Sequence, residues 1–160
     1  MRRWRDAEHR PLMRDVAGIM LSAVEDNFEA QGRAKWKDLQ QSTKDSRAKQ
    51  GTWPGKILQR SGHLASSIVT RHSAYEAAVG TNVAYAAIHQ FGGRTKAHVI
   101  RPKAKRALSF GGIVVRQVCH PGSEIPARPF LKMTKTDIRY MTEDVVRWYW
   151  RTLAQNGLAR

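Results

Sequence analysis

The sequence has little that would support catalysis. Cys119 is the only cysteine among 160 residues, which excludes an intrachain disulfide and a zinc site built from cysteine pairs. The phosphate-binding GxxxxGK[ST], metalloprotease HExxH and hydrolase GxSxG sequences are also absent. The histidines lie at spacings without a recognised ligand pattern: His9, His63, His72, His89, His98 and His120. We therefore predict a protein that is not an enzyme and has no cofactor or metal.

Long apolar runs are missing as well. No window of 18 residues is apolar throughout, and the opening segment MRRWRDAEHRPLMRD has basic residues without an apolar run behind them. Asp15, Glu25, Asp26 and Glu29 interrupt the residues that follow. The sequence therefore predicts neither a secretory signal nor a membrane partner, and the single cysteine fits a reducing compartment.

Acidic residues are scarce, and their scarcity is local. The chain has 28 Lys and Arg against 13 Asp and Glu, a formal charge of +15, and it has no acidic residue between Glu76 and Glu124. That stretch contains Arg94, Lys96, Arg101, Lys103, Lys105, Arg106 and Arg116. These residues predict a surface that meets DNA phosphates or an acidic protein, or else solvated charges that protect an edge strand from aggregation. Phe110 is the only Phe, Tyr or Trp between Arg94 and Arg116, which disfavours stacking on single-stranded nucleic acid.

The length and composition indicate one globular domain, residues 1–160, because 41% of the residues are hydrophobic and 26% are charged. Periodicity predicts a long helix from Pro11 to about Gly32, and a last helix over about 134–155. Between them we predict a short helix ending near Lys49 and another over 83–90, and strands over 67–72, 75–79, 98–101, 107–110 and 113–118.

This order of elements predicts an α+β fold. We expect a small antiparallel β-sheet with a projecting basic hairpin, residues 94–122, packed against the long N-terminal and C-terminal helices. Residues 1–10 form a basic N-terminal arm with Arg2, Arg3, Trp4 and Arg5. The arm is either a frayed terminus or an ordered contact anchored by Trp4.

The last helix has more apolar surface than one neighbour can cover. Ile138, Met141, Val145, Trp148 and Tyr149 form one apolar stripe, which we expect to lie on the sheet. A second stripe lies beside it and is predicted to form a subunit interface: Val146, Trp150 and Leu153.

A stiff connector precedes this helix. Pro126 and Pro129 fix the backbone of SEIPARPFL in an extended form and bracket Arg128. The connector is a rigid joint that aims the last helix, or Arg128 in it contacts a neighbouring subunit and belongs to the same interface.

Three phrases carry a family resemblance: ILQRSGHLASSI at 57–68, VGTNVAYAAIHQFGG at 79–93 and IPARPFL at 125–131. With the basic HVIRPKAKRALSF between the second and third, they resemble the phage virion morphogenesis family. This family comprises the tail-completion proteins of contractile-tailed phages and is related to the neck proteins of long-tailed phages. The resemblance spans about residues 36–131. The basic arm and the second apolar stripe depart from the simplest members.

The resemblance implies a structural phage protein of the head-tail junction, needed to join tail to head around the DNA passage. It implies a ring of identical subunits, expected to be hexameric, that contacts neck, connector and tail terminator proteins and could meet packaged DNA in its lumen. Its expected location is the virion neck or tail end, and the host cytoplasm during assembly. The alternative is a small DNA-binding protein without sequence specificity, which would explain the charge but not the second apolar stripe.

Overall fold

The computed structural model describes residues 9–103, 106–110 and 113–156, with the side chain of Phe110 excepted. The described part of the chain contains the helices α1 (Arg10–Glu29), α2 (Gln41–Lys49), α3 (His63–Ser66), α4 (Ala86–Phe91) and α5 (Lys135–Gln155). Its strands are β1 (Val69–His72), β2 (Ala77–Gly80), β3 (Gly93–Arg94), β4 (His98–Ile100), β5 (Leu108–Phe110), β6 (Ile113–Val115), β7 (Val118–His120) and β8 (Glu124–Ile125). The predicted α+β class, with long helices near both ends, is confirmed. None of the described helices combines the length and the hydropathy needed to cross a membrane.

The two long helices begin where the sequence predicts. Pro11 lies in the first turn of α1, where its missing N–H is not needed. At the start of α5 the Thr134 hydroxyl accepts a hydrogen bond from the Asp137 backbone N at 3.2 Å, and the Asp137 carboxylate accepts one from the Thr134 backbone N at 2.7 Å. This capping box fixes the first turn of α5.

Helix α1 is the element on which the β1–β2 hairpin and the last helix pack. It contacts the β1–β2 hairpin on one side and α5 on another. The first apolar stripe of α5 was expected to lie on the sheet, and this expectation is wrong because α5 packs on α1 instead. Ile138 of that stripe is exposed, while Met141, Val145 and Trp148 are partly buried.

The strands form four two-stranded antiparallel ladders rather than one sheet. Apart from β1–β2, the ladders are nested: β3 pairs with β8, β4 with β7 and β5 with β6. The six strands from β3 to β8 therefore make one long hairpin, which contains the predicted residues 94–122 and which we continue to call the basic hairpin. No described side chain in it is buried, so the hairpin projects from the core, as predicted.

Two glycines allow the close approach of chain segments at the base of the basic hairpin. Gly92 has a φ of +74°, and a Cβ there would lie 2.9 Å from the backbone N of Ala127. Gly122 has a φ of +86° and lies against the carbonyl of Thr95. A side chain at either position would strain the backbone and push the two strands of the hairpin base apart.

The core is a cluster around Phe130, which has no exposed surface. Its ring lies 5.4 Å from that of Phe28, and the ring of Phe28 lies 5.9 Å from that of Trp36 in an edge-to-face arrangement. The other buried members come from distant parts of the chain: Val24, Ile57, Leu64 and Ala86. The connector before α5 thus contributes the central residue of the core.

Polar side chains satisfy the backbone of this connector. The Gln90 side-chain oxygen accepts hydrogen bonds from the backbone N of Phe130 and of Leu131, both at 3.0 Å. The Asn27 amide donates to the carbonyls of Phe130 at 2.9 Å and Lys132 at 2.7 Å. These bonds satisfy connector backbone groups that belong to no ladder, and a buried backbone group without a partner would destabilise the fold.

The position of Gln90 explains why two aromatic residues at α4 lie on the surface. Tyr85 and Phe91 have helical spacing with Ile88, a pattern that by itself favours burial on one face. Tyr85 is 44% exposed and Phe91 is 78% exposed, because α4 turns Ala86 and the Gln90 amide toward the core instead. Both rings are therefore available on the surface.

Candidate functional site

The basic hairpin carries positive charge that the described residues do not neutralise. Each basic residue predicted for this surface that the structure describes is exposed: Arg94, Lys96, Arg101, Lys103, Arg106 and Arg116. Lys105 lies outside the described residues. None of these six side chains forms an ion pair within the described part of the chain, and Arg101 donates only to Gln117, at 3.3 Å. The hairpin is therefore a candidate site for an anionic partner.

Unlike the cations of the hairpin, several cations elsewhere in the described chain form ion pairs, which supports a binding role for the hairpin charges. Elsewhere many cations have carboxylate partners, as in Arg33 with Asp137 at 2.8 Å and Arg147 with Asp144 at 3.3 Å. Lys56 pairs in the same way with Glu29. The hairpin strands offer one carboxylate, Glu124 in β8, which is exposed and forms no ion pair with a described residue although it lies opposite Arg94 in the ladder.

Apolar side chains share the hairpin with these charges. Val99 is 48% exposed, Ile113 58% and Val114 68%. β-Branched residues normally cover a sheet face, but the two-stranded ladders leave them open to solvent. A surface that combines uncompensated cations with exposed apolar residues suits an interface with an acidic protein better than a purely solvated edge.

Most of the second stripe of α5 is open to solvent. Trp150 is 62% exposed and Val146 is 47% exposed, while Leu153 is partly buried. The exposure that an interface role requires is present, and the interface itself stays a prediction. Tyr140, at 55% exposed, lies on another flank of the same helix.

Arg128 does not lie on the surface where an interface residue was expected. It is only 6% exposed, and its guanidinium donates to the carbonyls of Lys37 at 3.0 Å and Asp38 at 3.3 Å of its own chain. Its backbone N donates to the carbonyl of His89 at 2.7 Å. The described contacts of Arg128 thus hold the connector to the segment before α2, which agrees with the rigid-joint alternative.

Arg128 also lines a pocket of about 710 Å³. The first turn of α2, the segment before α3, α4 and the connector surround this pocket. Its basic lining residues are Lys37, Arg47, Arg60 and Arg128, and the carboxylates of Asp38 and Glu124 also face it. Ser42, Ser46, Ser61 and Tyr85 add hydroxyl groups, while Leu39, Leu58, Leu64, Ile125 and Pro126 form apolar walls.

Two arginines of this pocket, Arg47 and Arg128, are buried, and burial lowers the pKa of both. Arg47 is 9% exposed and donates to the carbonyl of Lys56 at 3.2 Å. Burial, and then the charge of Arg60, lowers the pKa of Arg47. Burial, and then the charge of Arg47, lowers the pKa of Arg128, with Asp38 opposing. The pocket therefore gathers cations whose charges repel one another.

His89 borders the same pocket. Burial, and then the charge of Arg128, holds the pKa of His89 below its usual value. Its Nδ1 atom is buried and has no hydrogen-bond partner within the described part of the chain. The His89 ring packs edge-to-face on Tyr85 at 5.9 Å.

The sequence did not single out Arg47 or His89, because the pocket joins segments far apart in the chain. No local pattern distinguishes Arg47 from the other cations of α2, and only the fold places it beside Arg128. Residues 1–8, with the predicted contacts of Arg2, Arg3, Trp4 and Arg5, lie outside the described residues.

The histidines and Cys119 form no metal centre in residues 9–103, 106–110 and 113–156. His98 and His120 face each other across β4 and β7 with stacked rings 5.1 Å apart, and Cys119 is exposed. No third His, Cys, Asp or Glu side chain among the described residues joins these two imidazoles, and a zinc site takes at least three protein ligands.

Comparison with known proteins shows that this chain is similar to proteins of a prophage and of a phage. The chain is 40% identical to the Mu-like prophage FluMu G protein 2 of Haemophilus influenzae over 143 residues, which cover 89% of this chain and 80% of that protein. It is 32% identical to the putative capsid assembly protein G of Escherichia phage Mu over 131 residues, covering 79% of this chain and 70% of that protein. No solved structure matches the chain significantly.

The model of the phage virion morphogenesis family matches residues 2–149, nearly the whole chain. The match includes the core, the basic hairpin, the pocket and most of α5. Membership of this family supports a structural or assembly role in the phage particle. This chain therefore belongs to the phage virion morphogenesis family.

Proposed function

We propose that the protein is a ring subunit at the head-tail junction of a phage particle, where it joins the tail to the head around the DNA passage. The basic hairpin is the observation that carries this assignment. It projects from the core, its described cations lack ion pairs with described residues, and Val99, Ile113 and Val114 on it are exposed. Such a hairpin is shaped to reach a neighbour rather than to complete its own fold.

The exposed stripe of α5 supplies the second contact that a ring needs. In a closed ring each subunit uses two different faces, one toward the subunit before it and one toward the subunit after it. Trp150 and Val146 on α5 form one apolar face, and the basic hairpin forms another. This arrangement supports a ring, expected to be hexameric, with the neck, connector and tail terminator proteins as neighbours.

The test is to follow the protein in phage particles made from the prophage that encodes it. Deleting the gene should give separate heads and tails, and a plasmid copy should restore joined particles. In purified particles, labelled protein should lie at the junction. Normal particles from the deletion strain, or a label found only on the head shell, would refute the assignment.

A second function, DNA binding without sequence specificity, is favoured by the unpaired cations alone. It predicts affinity for duplex DNA that falls steeply with salt, with a slope of about −0.9 for each phosphate contacted. A monomer that binds DNA in this way and is absent from particles would favour this alternative over the ring.

A further inference from the structure

We propose that the pocket between α2, α4 and the connector is an oxyanion-binding site, with Arg47 and Arg128 as its principal ligands. The anion is a carboxylate or phosphate group, supplied by an acidic side chain of another protein or by free inorganic phosphate. This inference concerns a different surface from the basic hairpin and does not depend on the proposed place of the protein in the phage particle.

Unsatisfied donors are the first argument. Arg128 uses Nε and one Nη for carbonyls of its own chain, and Arg47 uses one Nη. The remaining guanidinium N–H groups of both residues have no partner among the described residues, and they are not sealed from solvent. An arginine presents donors in a planar fork that matches the two oxygens of an oxyanion, so these free donors are suited to one.

Uncompensated charge is the second argument. Arg47 and Arg128 are more than nine-tenths buried, and neither forms an ion pair in the described structure. The two carboxylates of the pocket do not neutralise them, because Asp38 is paired with Lys44 and Glu124 is exposed. A bound anion would offset the repulsion between the guanidiniums, since buried charges are normally paired.

The surrounding groups also favour an anion. Ser42 and Thr43, in the first turn of α2, line the pocket, and no side chain caps this nine-residue helix. Because the first turn lies at the pocket, so does the positive end of the helix dipole. Because the arginines are recessed, a rigid duplex would not reach them, whereas a small anion or one side chain would. Apolar walls and a volume of 710 Å³ leave room for the peptide around an inserted carboxylate.

The test uses the whole chain and two probes, inorganic phosphate and N-acetylglutamate amide, each compared with chloride at the same ionic strength. We expect saturable changes in the NMR signals of the Arg47 and Arg128 side chains and of the His89 ring. The pKa of His89 should rise on binding, because the anion offsets the charge of Arg128. At a concentration about 100-fold above Kd, Tm should rise by about 5–10 °C.

A matched pair of variants separates the site from general charge screening. Arg47→Gln should weaken binding about 10–100-fold, the loss expected for a charged hydrogen bond. Arg71→Gln removes the same charge from exposed β1, outside the pocket, and should leave Kd unchanged. If Arg47→Gln unfolds the chain, the NMR titration of the unmodified protein still decides.

Each outcome bears on the proposal. Saturation by phosphate but not by the glutamate analogue identifies free phosphate as the source. Saturation by the analogue identifies an acidic side chain. If neither probe shifts the pocket signals, or if Arg71→Gln loses as much affinity as Arg47→Gln, there is no oxyanion site.

Discussion

Replacing Trp150 by alanine should weaken self-association while leaving the monomer folded. The side chain is 62% exposed on the outer face of α5, so little of it contributes to the core of one chain. A surface substitution of this kind changes the free energy of unfolding by about 0.5 kcal/mol or less. If the side chain belongs to an interface, the larger effect of its removal should therefore be on self-association and not on unfolding.

The size of the effect on assembly follows from the exposed area. A tryptophan offers up to about 250 Å² for burial, of which about 150 Å² is exposed here. At about 25 cal/mol per Å², full coverage in an interface would contribute about 4 kcal/mol per contact. Truncation should therefore raise the dissociation constant at least about 30-fold, even if only half of that area is covered.

The assay is analytical ultracentrifugation over a wide concentration range, with thermal unfolding of the dilute monomer measured alongside. Tyr140→Ala is the matched control, because this exposed aromatic side chain lies about 80° away around the same helix. Equal association of Trp150→Ala and the unmodified protein would refute the interface. Unfolding of the dilute Trp150→Ala monomer would show that the stripe belongs to the core.

Three further predictions follow from the described contacts. Replacing Lys103 and Arg106 by glutamine should lower the yield of infectious particles at least tenfold without changing Tm, since both side chains are exposed and neither forms an ion pair with a described residue. Unchanged titres would contradict a role for the hairpin charge. Asp137→Asn should reduce the free energy of unfolding, measured by urea denaturation, by about 2–3 kcal/mol. The substitution weakens the charged pair with Arg33 that ties α5 to α1. A loss below about 0.5 kcal/mol would mean that the Arg33–Asp137 pair contributes nothing measurable to stability. Because the pKa of His89 is lowered in the fold, protonation favours the unfolded chain, so the free energy of unfolding should fall as pH drops below about 6.5. His89→Gln should lose less stability than the unmodified protein between about pH 7.5 and 5.5. An identical dependence on pH in both proteins would disprove a role for His89.

The sequence predicted well those features that local patterns determine. The bounds of α5 follow from a capping box and a helical apolar repeat, both readable in the chain. The basic hairpin follows from its turn residues, β-branched strands and acid-free composition. The resemblance to the family rests on short phrases in a fixed order, and the family match covers them all.

The features that the sequence could not reveal all depend on packing between segments far apart in the chain. Apolar spacing alone could not show that the Gln90 amide, rather than Tyr85 or Phe91, would face the connector. The sequence left the proline-bracketed Arg128 either in a rigid joint or at a subunit contact, and only the fold shows that Arg128 is 6% exposed and bonded within its own chain. The pocket depends on this placement, so no local signal could have revealed it.

The most direct test of the proposed function is an electron cryo-microscopy map of the head-tail junction in particles that contain this protein. We expect a closed ring of this chain around the DNA passage, with Trp150 covered by the next subunit and the basic hairpin in contact with DNA or an acidic neighbour. A junction that lacks the protein, or a ring in which both surfaces remain exposed to solvent, would contradict the account.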